Sequence, residues 1–179
     1  MKLIDQAASL ISPPPPDVLY SYGQYGDHIR ALEQKGIKTM QGVPGEETLR
    51  NLRPHSLLVL DDQMSAVDEK WLVDVFAKKS HHMLFNVIFL TQDAFEKSLK
   101  TVRMNAQYLV LLKAPNSQLH VRVLGSHLFP RKRGFVEAYN DATEKPYSYL
   151  LIDLHPRTKD TLRLRANIFH GEMTTIYQL

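Results

Sequence analysis

Asp61 and Asp62 close the apolar run Leu57-Leu58-Val59-Leu60. A buried strand that ends in two carboxylates can hold a magnesium ion with the first acid. It can orient an attacking water with the second. Phosphoryl chemistry of this kind also needs a phosphate cradle, Gly-x-x-x-x-Gly-Lys-Ser/Thr. None of the eight glycines is followed by lysine, so these residues contain the metal and water half of such a site without the cradle. A plainer reading is also open, because strands entering turns often end in Asp.

Other residues with chemical potential are fewer. Asp153, within Leu151-Ile152-Asp153-Leu154, paired with Asp61 would mimic a two-metal nuclease. Ser80-His81-His82 suggests a metal ligand set, but adjacent histidines on a helix do not face one another, which favours a solvated helix end. Arg131-Lys132-Arg133, Arg157, Arg163 and Arg165 suit either DNA phosphates or a solvated face. No aromatics are interleaved among them to form a stacking platform.

The elements that would position these groups follow from pattern. Leu3, Ala7, Leu10 and Ile11 have helical spacing, and Pro13 to Pro16 form a stiff connector. Val18–Tyr22 reads as a strand. Asp27 caps a helix carrying Ile29 and Leu32, stopped by Gly36. Ile37 to Met40 gives a short edge strand, and Glu46 to Asn51 one helical turn. Ser65 and Asp68 form a capping-box variant ahead of Val67, Trp71, Leu72, Val75 and Phe76 on one helical face. Asn86–Leu90 and Tyr108–Leu112 read as two more buried strands, with a helix over Asp93 to Lys100 between them. Helices follow at Ser117 to Leu128 and Gly134 to Ala142. Two last strands, Tyr147 to Leu154 and Leu162 to Phe169, close the chain. Near-continuous apolar strands alternating with helices indicate a parallel α/β sheet.

The 179 residues suit a single domain, and 44% hydrophobic residues supply a core. A net charge of +3, with a pI near 9.0, is compatible with nucleic acid without requiring it. The absence of cysteine removes disulfides and zinc thiolates and points to an intracellular setting. No apolar run approaches the length of a membrane span, and the N-terminus lacks the apolar core of a secretory signal.

Taken in order, Leu57–Asp62, the following helix, Ser80-His81-His82, Asn86–Gln92 and Arg103-x-Asn105-x-x-Tyr108–Lys113 resemble a family. It is the packaging and pumping ATPases of the FtsK–HerA type, in the version found in DNA viruses and Polinton (Maverick) transposons. The resemblance covers roughly residues 3–179, and order and spacing carry it more than any single motif. It implies an α/β, P-loop NTPase-like, mostly parallel sheet flanked by helices, with the first (Walker A) strand missing and a C-terminal strand pair. Residues 1–16 would be the end of the P-loop helix plus the Pro-rich connector. Residues 17–130 would be the ATPase core, and 131–179 the C-terminal helix and strand pair.

The same resemblance assigns roles. Asp61 matches the Mg²⁺-linked Asp, Asp62 the water-orienting acid and Gln92 the γ-phosphate sensor. Asp62 departs from the Glu of most members. Arg103 and Lys113 are candidate arginine or phosphate contacts. Gln92 also admits the reading of a cap on the next helix. In the family's strand order, 5-1-4-3-2, the P-loop strand lies between the strand of Gln92 and that of Tyr108. The chain is therefore expected to begin just after its P-loop and to be a fragment or degenerate copy, inactive alone. Intact relatives use Mg²⁺ and ATP, form homo-oligomeric rings and drive double-stranded DNA into a capsid, which places them in a nucleus or virus factory. The alternative is a non-enzymatic DNA-binding or assembly module derived from such an ATPase.

Overall fold

A computed structural model describes residues 2–63 and 66–179. The proposed capping role of Ser65 lies outside the described residues. The chain forms two compact units, one ending at Asn105 and one of Ala106–Leu179.

The first unit contains α1 (Lys2–Asp5), α2 (Ala7–Leu10), β1 (Val18–Tyr22), α3 (Asp27–Gln34), β2 (Lys38–Gln41) and α4 (Glu46–Arg50). It continues with β3 (Leu57–Asp61), α5 (Glu69–Asp74), a π-turn at Val75–Lys79, α6 (Ser80–His82), β4 (Asn86–Leu90) and α7 (Lys100–Asn105). The four strands form one parallel sheet in the order β2-β1-β3-β4. Side chains alternate across it, as strand geometry requires. Leu19, Leu58, Leu60, Val87 and Phe89 face a cluster with Leu49, Leu72, Val75, Leu99 and Val102. Tyr20, Tyr22, Leu57, Val59 and Ile88 face Ala7, Ile29 and Leu32 on the other side. Both faces are covered, which explains why the strands read as unbroken apolar runs.

Local differences from the sequence reading have clear causes. Residues 2–11 form two short helical turns broken at Gln6. Gly26, not Asp27, occupies the N-cap of α3, and Asp27 sits in the first turn where its charge suits the helix dipole. Asp68 caps α5 by accepting from Lys70 N at 3.3 Å. The helix expected over Asp93 to Lys100 is displaced, with a 3₁₀ turn at Lys97–Leu99 leading into α7. Asn86–Leu90 is only partly buried, since no strand pairs with the outer edge of β4 among the described residues.

The second unit contains β5 (Tyr108–Leu112), α8 (Gln118–Leu128), α9 (Phe135–Ala142), β6 (Tyr149–Asp153), β7 (Leu164–Ala166) and β8 (Thr175–Tyr177). Its four strands form a separate antiparallel sheet in chain order. This corrects the expectation that Tyr108–Leu112 is a buried strand of one mostly parallel sheet. It pairs antiparallel with β6, and Tyr108, Val110 and Leu112 stand 52%, 50% and 60% exposed. The expected C-terminal strand pair is present as β6 and β7, and β8 extends it.

α9 lies against β6 and α8. Its Tyr139 is buried and ties down the end of β5. The hydroxyl donates to Leu112 O at 3.0 Å and accepts from Ala114 N at 2.9 Å. Gly125 of α8 packs directly against α9, where a Cβ would fall 2.3 Å from Phe135 Cδ1 and 3.1 Å from its Cβ. Phe135 is itself buried and cannot swing aside. Gly125→Ala should therefore destabilise this unit by about 1–3 kcal/mol, despite alanine's better helix propensity. Urea unfolding followed by circular dichroism checks this; an unchanged or raised midpoint would contradict it.

Candidate functional site at the carboxyl edge of the parallel sheet

Parallel strands deliver their C-terminal residues to one edge, and in open α/β sheets that edge is where ligands bind. Here β1 and β3 are in register, with Tyr22 opposite Asp61, and β3 and β4 place Asp61 opposite Leu90. Asp61, Asp62 and Gln92 therefore leave adjacent strands at the same edge.

Asp61 is the ordered member. Positions 57, 59 and 61 share a sheet face with Tyr20 and Tyr22, so its carboxylate emerges on the side of α3. The Tyr20 hydroxyl donates to Asp61 Oδ2 at 2.6 Å, and His28 Nε2 of α3 lies 3.6 Å from the same oxygen. Burial raises the Tyr20 phenol far above its usual range, and the hydrogen bond and negative charge of Asp61 raise it further. No hydrogen bond to Asp61 Oδ1 is formed among the described residues.

Asp62 is exposed and adopts the left-handed conformation, with φ of 52°. That conformation carries the chain sharply away from β3. Its carbonyl oxygen would lie only 2.5 Å from a Cβ at position 23, so Gly23 is needed where β1 ends.

Gln63 is a participant with no sequence signal. It is fully buried, its Nε2 donates to Ser21 Oγ at 3.3 Å, and Oε1 has no hydrogen-bond partner. Ser21 Oγ in turn donates to Gly42 O at 2.6 Å. This polar thread ties the Asp61-Asp62 turn to β1 and the turn after β2.

Gln92 is exposed, two residues beyond β4. It does not cap the following turn. That is done by Thr91, whose Oγ1 accepts from Asp93 N at 3.2 Å, and by Asp93, whose Oδ1 accepts from Phe95 N at 2.9 Å. Arg103 is committed locally. Its Nη1 donates to Ala94 O and to Glu96 O, and its guanidinium lies 5.8 Å from the Phe95 ring centroid. Lys113 belongs to the second unit, where it is exposed and its Nζ lies 3.5 Å from Glu144 O.

The other acid considered for metal chemistry has a structural task. Asp153 is buried, pairs with Arg165 and accepts from His155 N at 3.0 Å. His81 and His82 are exposed, and no group of three or more His, Asp or Glu side chains suited to a metal occurs among the described residues. A magnesium ion commonly takes only one or two carboxylates, so Asp61 and Asp62 are of the donor type it uses. Among the described residues, no helix is long and apolar enough to cross a membrane.

No family model, curated protein or solved structure matches this chain.

The Tyr20–Asp61 bond predicts an alkaline signature. The unfolded phenol ionises near pH 10 and the native one far higher, so its contribution is complete below pH 10 and declines above it. Tyr20→Phe should cost about 1–3 kcal/mol near neutrality. It should also flatten the fall in stability as the pH rises above about 10. Urea titrations at a series of pH values test both; parallel pH profiles for the two proteins would refute the bond.

Proposed function

We propose that the unit ending at Asn105 carries the metal and water half of an ATP site of the DNA-packaging ATPase type. Asp61 would hold Mg²⁺, Asp62 would orient the attacking water and Gln92 would sense the γ-phosphate. Magnesium, when bound, supplies charge neutralisation between phosphate oxygens. The chain's own residues do the rest. Tyr20 fixes the Asp61 carboxylate through one oxygen, as an outer partner fixes a metal ligand. The left-handed turn at Asp62 displays the second acid to solvent, where a water can reach it.

One observation carries the reading: two adjacent parallel strands, β3 and β4, end at a single edge, with the acid pair at the end of one and Gln92 two residues beyond the other. The outer edge of β4, unpaired among the described residues, adds support, since the family's strand order requires a neighbour there. No phosphate cradle is encoded in these residues, so hydrolysis would need one supplied from outside this sequence. Asp62 in place of Glu shortens the reach of the water-orienting group.

A second reading, a DNA-binding or assembly module, draws on charge. Of the 22 Lys and Arg and 19 Asp and Glu, ten and six fall in Ala106–Leu179, leaving twelve and thirteen before it. The basic excess thus belongs to the unit that does not carry the acid pair, and Arg131, Lys132 and Arg133 are all exposed. Such a module would bind duplex DNA with a steep salt dependence and no need of nucleotide.

The readings separate in a paramagnetic titration. With ATP present, Mn²⁺ should broaden the amide resonances of Tyr22, Gly23, Asp61 and Asp62 at roughly millimolar metal, the weak binding expected of two carboxylates without a cradle. Asp61→Asn keeps an acceptor for Tyr20 and should abolish the effect. Broadening centred elsewhere, or unchanged in Asp61→Asn, would defeat the proposal. DNA binding that persists in that variant would favour the module.

A further inference from the structure

In the second unit, the turn between α8 and α9 and the loop after β6 line a cavity of about 440 Å³. That is the size of sites that take small organic ligands. Leu128, Phe129, Pro130 and Leu154 form an apolar wall, and Lys132, Asp160 and Arg163 form the polar side.

Arg163 is fixed in advance. Its Nε donates to Asp160 Oδ1 at 2.9 Å, and its Nη1 donates to Asp153 O at 3.0 Å and to His155 O at 3.1 Å. Its Nη2 has no acceptor among the described residues. Lys132 is exposed and makes no ion pair among those residues. Its charge still reaches the site: the Arg163 hydrogen bond and charge hold the Asp160 carboxyl below its usual range, and Lys132 lowers it further.

The turn itself is strained. Lys132 N donates to Phe129 O at 3.1 Å, closing a type II turn with Pro130 second and Arg131 third. The third position favours glycine or asparagine, yet Arg131 holds it with φ of 71°. Residues kept in such a conformation cluster at ligand sites. Charge is concentrated in the same place. Six of the unit's ten Lys and Arg lie in the lining segments 128–133 and 154–163, against one of its six acids, Asp160.

We infer that this cavity binds a nucleoside phosphate, with the terminal phosphate between Lys132 and the Nη2 edge of Arg163 and the nucleoside on the apolar wall. A phosphomonoester carries nearly two negative charges near neutrality, which suits two converging cations better than the single charge of a backbone diester. Guanidinium N–H groups match phosphate oxygens in geometry as well as charge. A free mononucleotide and the 5′-phosphorylated end of a strand present the same group. No residue of the acid-pair site takes part, so either proposal can fail without the other.

The probe is dAMP without metal, followed through amide shifts of the isotope-labelled full chain. Arg131, Lys132, Leu154, Asp160 and Arg163 should shift with a Kd of roughly 0.1–1 mM. Lys132→Gln should weaken binding about tenfold. Lys145→Gln removes an exposed charge ahead of β6, at the opposite end from Leu154, and should change binding less than about twofold. Arg131→Gly suits the turn, so it should raise the unfolding midpoint and still weaken dAMP about threefold. Inorganic phosphate should bind at least about fivefold more weakly than dAMP, for want of the apolar contact. A 5′-phosphorylated tetradeoxyadenylate that binds more tightly than dAMP assigns the site to strand ends; weaker or equal binding assigns it to the free nucleotide. Shifts confined to other residues, or none at roughly 5 mM dAMP, overturn the inference. So does a 5′-hydroxyl oligonucleotide that binds as tightly as its 5′-phosphorylated form, or inorganic phosphate that binds as tightly as dAMP. Equal losses in Lys132→Gln and Lys145→Gln overturn it too.

Discussion

The central constraint on this protein is the complete burial of the four apolar residues of β3. Leu57, Leu58, Val59 and Leu60 are sequestered between β1 and β4 and beneath helices on both faces. Because side chains alternate, a slip of one residue would exchange the two faces and drag Asp61 into the core. An ionised carboxylate cannot be buried there without a partner. The packing of four apolar residues thus fixes where the fifth leaves the sheet. Once Asp61 is placed, the Tyr20 hydroxyl is within reach, and the left-handed Asp62 and buried Gln63 complete the turn.

The second unit rests on a different balance. β6 is buried along its whole length, and β5 on one side and β7 on the other complete its ladder. α9 supplies Tyr139 to hold the end of β5, and Gly125 lets α8 approach α9. Asp153, the one acid in β6, is neutralised by Arg165, so its burial is paired and does not argue for catalysis. Among the described residues no strand pairs with the outer edge of β5, where Tyr108, Val110 and Leu112 expose apolar side chains and Tyr139 holds the Leu112 carbonyl.

Much of the first unit was legible in the sequence. β1, β3 and β4 are doubly covered, and continuous apolar runs bounded by turn residues mark such strands. Gly36, with φ of 77°, ends α3 as its type foretells. β5 was misread for a physical reason: Tyr-Leu-Val-Leu-Leu looks the same whether a strand is covered on both faces or stands at an edge, and only its partners decide. β8 is three residues long and gave no pattern. At the carboxyl edge, Asp61 and Asp62 were visible because two acids after four apolar residues are conspicuous. Tyr20, His28 and Gln63 were not, because each meets its partner through strand register or helix placement across many residues. Arg103 showed its charge but not its engagement with Ala94 and Glu96, which depends on a loop that no periodicity describes.

The placement of the acid pair depends most on β3 lying between two parallel neighbours with Asp61 at their shared edge. Cross-strand nuclear Overhauser contacts in the isotope-labelled chain test this directly. Contacts should link Leu57–Asp61 to Val18–Tyr22 on one side and to Asn86–Leu90 on the other, both in parallel register, with Asp61 beside Tyr22 and Leu90. Contacts from β3 to Tyr108–Leu112, or an antiparallel pattern to either neighbour, would contradict it, because the acids and Gln92 would then leave from different edges.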